Sequence, residues 1–423
     1  MPALFSDILE QLEDIESMMA DFHALCDTGG RFSGTESEKA AVAYLKGSMT
    51  TLFGRSPEVL PTAYDGWKRK SHSLTRLTPS PLDLDCLSLV WSPSTPSGGI
   101  EAEVVDMGRG DLAAFKSRAD EVRGRIPLVR HEYMFTEDTL HRRYKYDAAR
   151  EAGAVGFLIA NHNVGNDLLS GSSGRNRPED IPALALSAEG GAALARTPEG
   201  FPRVRLMVDA SADGDVAENL VMEFPGAIDE WVVLSAHIDG HPLGESAMDN
   251  ATGLAAVLRL AEVLAPHAGA FRRGLRVMLF NVEEWGLWGS ANYVDALPET
   301  ERAKVALNVN LDSVAGDPHL TAITSGFPNI ADFLAPSARL AGVPLATHDA
   351  LMRNSDHYNF ARHGIPAFRL VCGFDRPESN LRHVLTPQDT RDKVSEAEMR
   401  QAVRLTGALL AEALTAQNLK LRN

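Results

Sequence analysis

Residues 231–239 read WVVLSAHID, an apolar run from Trp231 to Ala236 that stops on His237 and Asp239. A run this short and this apolar predicts a strand buried on both faces. The pattern recurs downstream. Leu275–Val282 (LRVMLFNV) runs into Glu283-Glu284, and Leu307–Leu311 (LNVNL) runs into Asp312-Ser313. Between the first two, Asn250–Leu264 places Leu254, Val257, Leu258, Ala261 and Leu264 on one helical face, entered through Asp249. Ala367–Val371 (AFRLV) is a further strand. Strands alternating with helices predict an α/β fold, a mostly parallel mixed sheet sandwiched by helices. Ligands of such sheets bind beyond the carboxyl ends of the strands. His237, Asp239, Asp249, Glu283, Glu284 and Asp312 all fall there.

Each of these residues has an ordinary reading: Asp249 as a helix cap, Asp312 as a turn residue. Their convergence argues otherwise. The four acids Asp249, Glu283, Glu284 and Asp312 on one sheet edge repel one another unless a cation joins them. An imidazole nitrogen with Asp and Glu oxygens is a zinc-type ligand set, and a carboxylate can bridge two ions. Asp239, two residues past His237, is placed to orient the imidazole as an acceptor. Of Glu283 and Glu284 only one need face the metal; the other can take a proton from its water. His241, His348 and His363 are read as surface or structural histidines.

Outward from this core, Leu9, Leu12, Ile15, Met19 and Phe22 predict one N-terminal helix, and Thr35 with Glu38 a capping box opening a second. Residues 56–100 alternate short apolar runs with Pro, Ser and Gly clusters, predicting strands and turns. Residues 101–210 have a different texture: a strand near 126–129, a helix near 146–152, strands at 154–160 and 181–187, and a polar loop at 161–180. Val394–Leu419 predicts a closing helix. The expected organisation is a larger domain from residues 1–100 and 211–423 with a smaller αβ domain, 101–210, inserted.

Lys and Arg number 41 against 57 Asp and Glu, a formal charge of −16, which disfavours nucleic acid. No apolar run approaches the roughly 20 residues that span a bilayer. The acidic opening MPALFSDILEQLEDIESMM lacks the basic and apolar regions of a secretory signal, and Cys26, Cys86 and Cys372 are too few and too spread for a disulfide framework. A cytoplasmic location without a membrane partner is the expectation.

The stretches AHID (236–239), MDNATG (248–253), NVEEWGLWGS (281–290), NVNLDS (308–313), SDHYNF (355–360), HGIPAF (363–368) and TPQDTRDKV (386–394) resemble, in order, the M28 zinc aminopeptidases, a family that includes carboxypeptidase-Q-like dipeptidases and is related to glutaminyl cyclase. REAGAVGFLIANH and IPALALSAEGG resemble the protease-associated (PA) domain that many of these enzymes carry, and GGRFSGTESEKAAVAYL their N-terminal helices. The resemblance implies His237 and Asp312 on one zinc, Asp249 bridging, Glu284 on a second zinc, Glu283 as general base and Asp239 behind His237. It places Asp356 and His357 near the substrate. The family's last zinc ligand is a His directly before the T-x-x-D-T pattern of Thr386–Thr390; here that position is Leu385, and the nearest His is His383. Three readings stand: His383 reaches the metal, the second site is weak or empty, or catalysis is lost. The implied activity is metal-dependent exopeptidase hydrolysis of short peptides or dipeptide-like amides. The alternatives are cyclase-like acyl transfer and a catalytically silent binding protein. The inserted unit reads equally as a cover for the site or as a homo-oligomer contact or a spacer.

Overall fold

The computed structural model describes residues 2–165, 167–173, 177–195 and 200–422, so the 161–180 loop lies partly outside the described residues. The chain forms two compact units: Met1–Tyr64, Val216–Val384 and Asp389–Asn423 in one, Asp65–Asp215 and Leu385–Gln388 in the other.

In the larger unit four parallel strands form the centre of the sheet, in the order Ala367–Cys372, Val305–Leu311, Trp231–His237, Gly274–Phe280. Leu320–Ile323 adds antiparallel to the first of these, with Leu345–His348 parallel beside it. Residues 220–224 of the strand Arg203–Phe224 close the other edge antiparallel to Gly274–Phe280. Side chains from Val232 to His237 are all buried, which is why the strand reads as continuous apolar sequence and not as an alternation. Asn310 pairs with Ser235 and Phe280 with His237, so three strands end nearly level and the residues after them become neighbours.

Helices flank this sheet. Thr252–Leu264 packs against the strand Trp231–His237 and against the helices Glu16–Asp27 and Glu396–Thr415. It is buried almost all round, as its composition requires. Glu396–Thr415 opens with a reciprocal capping box between Ser395 and Glu398. At Thr35 the expected box is only half made. Thr35 accepts from the Glu38 amide, but the Glu38 carboxylate accepts from Asn281 Nδ2 at 2.6 Å instead. The single N-terminal helix expected from the Leu9–Phe22 stripe is two, Pro2–Gln11 and Glu16–Asp27; the Asp14 carboxylate accepts the Glu16 amide and starts the second.

The smaller unit holds parallel strands Ile100–Asp106, Ile126–Arg130, Phe157–Ala160 and Ala183–Leu186, paired in that order, with helices Arg142–Glu151 and Ala188–Ala195. Val104, Ile126, Leu128, Leu158, Leu184 and Leu206 form its core. Residues 65–100, expected with the larger domain, lie in this unit. Cys86–Ser88 pairs antiparallel with Ala183–Leu186, and Leu82–Leu84 pairs with residues 74–76. Such pairings are long-range or form on three-residue strands that leave no pattern in the sequence. All three cysteines are buried and outside any disulfide. No helix among the described residues is long and apolar enough to cross a membrane.

Candidate metal centre

His237 ends its strand and Asp312 follows directly on Leu311. Asp249 arrives from an irregular turn, Ala247–Ala251, where its backbone is non-helical at φ −118, ψ 88. That turn is pinned to the strand end beside it. Asn250 Nδ2 donates to the Leu311 carbonyl at 2.9 Å, and Asn250 Oδ1 accepts from the Gly253 and Ser313 amides. The Asp389 carboxylate accepts the Met248 amide at 2.7 Å and the Asp249 amide at 3.4 Å. Gly253 is required, because a Cβ there would stand 2.3 Å from Asn250 Oδ1 and 2.4 Å from the Leu311 carbonyl oxygen. The MDNATG stretch is thus a device for aiming Asp249.

His237 Nε2 lies 3.0 Å from Asp249 Oδ1 and 3.5 Å from Asp312 Oδ1. His237 Nε2, Asp249 Oδ1 and Glu284 Oε1 are buried and make no hydrogen bond. Buried polar atoms are ordinarily satisfied, so atoms that converge without bonding suit a shared cation. Among the described residues there are three groups whose ligand atoms lie within 4.8 Å of one another: His237, Asp249 and Asp312; His237, Glu283 and Glu284; His241, Asp249 and Glu284.

The electrostatics agree. Burial alone would strip the proton from His237, yet Glu283, Asp249 and Asp312 hold its pKa well above the ordinary histidine value. Burial, reinforced by neighbouring acids, holds Glu283 and Glu284 well above the usual carboxylate range. Asp312 goes the other way. Burial is outweighed by the Arg369 guanidinium, 3.1 Å from Oδ1, by His237 and by Ser355, whose hydroxyl donates to Oδ2 at 2.5 Å. Acids that must otherwise be neutralised by protons are the natural seat of a divalent ion, which inverts these shifts. The imidazole-and-carboxylate donor set fits zinc-type coordination.

His237, Asp249, Glu283, Glu284 and Asp312 therefore come together as expected. Asp239 acts differently from its expected part. His237 Nδ1 meets the backbone carbonyl of Asp239 at 3.0 Å, with the carboxylate at 3.8 Å. That carboxylate accepts the Glu283 amide at 2.9 Å, the Glu284 amide at 3.2 Å and the Ser33 hydroxyl at 3.1 Å. It orients the glutamates, while its main chain orients the imidazole. His383 closes the short turn Asn380–His383 and joins none of the ligand groups among the described residues. Asp356 and His357, expected near the substrate, are both buried. Asp356 accepts from Ser290 at 2.5 Å, and burial lifts its pKa to about 7; burial and then Arg369 lower that of His357 to about 3. His241, read as surface or structural, is buried with Nε2 at 2.6 Å from Glu284 Oε1. Arg31, Ser33, Arg369 and Asp389 were not singled out. The one available signal was that Arg31 and Ser33 sit in the glycine-rich GGRFSG, and Asp389 in TPQDT.

Residues 219–410 match the model of Peptidase family M28, and residues 100–194 that of the PA domain. Among curated proteins the chain is 27% identical over 402 residues to "Probable lipoprotein aminopeptidase LpqL" of Mycobacterium tuberculosis, covering 89% of this chain and 77% of that one. It is 24% identical over 394 residues to "Aminopeptidase YwaD" of Bacillus subtilis, covering 91% and 82%. Among solved structures, the zinc aminopeptidase BSAP from Bacillus subtilis superposes with a TM-score of 0.77 at 24% identity, covering 97% of each chain. By these matches and by its strand-end acids, residues 219–410 are similar to peptidase family M28 and residues 100–194 to the PA domain.

Proposed function

We propose that this chain is a zinc-dependent aminopeptidase that releases the first residue of short peptides or dipeptide-like amides. The observation that carries the reading is the convergence of His237, Asp249 and Asp312 with the Glu283-Glu284 pair. His237, Asp249 and Asp312 would hold a zinc ion, which would supply an acidified water, of pKa about 7, and a Lewis acid for the carbonyl oxygen. The Glu283 carboxylate would take the proton of the attacking water and return it to the departing amine. Arg369 and Ser355 fix the Asp312 carboxylate, and Asp239 fixes the backbone from which both glutamates project. The names of the curated relatives, both aminopeptidases, support the amino end as the one recognised.

The test is a substrate panel on the zinc-loaded full chain. Aminoacyl amides and dipeptides with free amines should be cleaved, and their N-acetylated counterparts should not. Preferential cleavage of N-blocked substrates at the carboxyl end would reverse the assigned polarity. Ammonia release from N-terminal glutamine without hydrolysis would replace peptidase by cyclase chemistry.

A second expectation concerns Asp239. Asparagine offers one acceptor oxygen and an amide that would face a backbone N–H. Asp239→Asn should lower kcat by roughly 10–100-fold, the scale of losing a group that orients ligands, with KM little changed. A loss confined to KM would remove Asp239 from this positioning role.

A further inference from the structure

We infer that His241 is a ligand of a second metal ion, in the place that the family resemblance gives to residue 385; the inference rests on the zinc reading above and extends it.

His241 Nε2, Asp249 and Glu284 offer one imidazole and two carboxylates within 4.8 Å of one another. Asp249 belongs equally to the His237–Asp312 group, so it is the shared carboxylate of a paired site. Each ion would then have one imidazole, its own acid and half of Asp249. The 2.6 Å approach of His241 Nε2 to Glu284 Oε1 shows that the imidazole already points at the second group.

The loop that carries His241 is built to hold it. Arg31, fully buried, donates from Nε to the Ile238 carbonyl at 2.9 Å, from one terminal nitrogen to the Glu245 carbonyl at 2.9 Å, and from the other to the Ser246 carbonyl at 2.6 Å. One guanidinium thus clasps both ends of the segment 238–246. Inside it the His241 amide donates to Ser246 Oγ at 3.0 Å, and that hydroxyl donates to the Gly30 carbonyl at 3.2 Å. Gly30 lies so close that a Cβ there would stand 1.8 Å from the His241 carbonyl oxygen. A loop braced from three sides around one buried histidine is what a preorganised ligand needs. Leu385, by contrast, turns through a left-handed backbone at φ 72 with its side chain buried, and an alkyl group offers no donor atom.

The experiment is zinc stoichiometry and affinity on the full chain, by elemental analysis after equilibrium dialysis and by calorimetry. The wild type is expected to bind two equivalents. His241→Ala and the bulkier His241→Gln should each keep the first and weaken the second by more than about 100-fold, beyond the loss typical of an outer residue. His383→Ala should bind two, as the wild type does. X-ray absorption on His383→Ala loaded with two equivalents of zinc should show one imidazole per metal, and half an imidazole per metal would overturn the inference, which keeps it testable if the His241 variants do not fold. A second equivalent that survives both His241 variants, or that is lost in His383→Ala, overturns the inference. A single equivalent in wild type and variants alike overturns it and leaves the zinc reading standing. No bound zinc in any of them overturns the zinc reading itself.

Discussion

Glu283→Gln is expected to leave the chain loaded with zinc while kcat falls by at least about 10²-fold, the scale of losing a general base. The substitution keeps shape and volume and changes only the ability to accept a proton. Glu283 is nearly buried, its amide is tied to Asp239 Oδ1 at 2.9 Å, and its carboxylate lies in one ligand-atom group with His237 and Glu284. Burial and its acid neighbours raise its proton affinity well above that of a free glutamate, so it is suited to hold a proton in transit; the cation moderates this. The measurement pairs steady-state kinetics with metal analysis of the same sample. Unchanged turnover would remove Glu283 from the chemistry. Loss of metal together with turnover would make it a ligand and transfer the base role elsewhere.

Removal of metal should have the larger effect. Exhaustive chelation is expected to abolish hydrolysis, and stoichiometric zinc to restore it. Bulk water is a negligible nucleophile at neutral pH without a cation to acidify it. The same treatment should lower the unfolding midpoint, because the converging carboxylates lose the charge that reconciles them. At a free ion concentration of a thousand times Kd the bound ion stabilises the fold by about 4 kcal/mol. Parallel activity and thermal-unfolding titrations check both parts. Hydrolysis that is indifferent to chelation would contradict the metal site.

What could be read from the sequence follows from how local each signal is. A strand buried on both faces is mostly apolar, its few polar side chains paired as Asn308 and Asn310 are with Ser235, so WVVLSA, LRVMLFNV and LNVNL announce themselves, and the polar residues that end them mark the sheet edge. His237, Asp249, Glu283, Glu284 and Asp312 were legible for that reason. His241 was not. It stands in a loop without periodicity, and the loop's shape is set by Arg31, more than two hundred residues earlier in the chain. Asp239 was legible as a site residue, but its task was not: whether its side chain or its carbonyl meets the imidazole depends on where the 283–284 turn falls. The burial of Asp356 and His357 was equally hidden, since SDHYNF reads as a polar segment and only the packed helix His357–Ala361 shows that it is enclosed. The passage from one unit to the other near residue 65 was illegible because the strands Leu82–Leu84 and Cys86–Ser88 are three residues each and depend on partners elsewhere.

The Arg31 clasp has a consequence for what counts as the catalytic module. The stretch recognisable as peptidase begins at residue 219, yet the guanidinium that shapes the 238–246 loop, the Ser33 hydroxyl on Asp239 and the Glu38 carboxylate on Asn281 all come from the first forty residues. A fragment cut to the recognisable stretch would keep all of the proposed zinc ligands and lose the brace that aims them, so the heritable unit of this activity is longer than its signature.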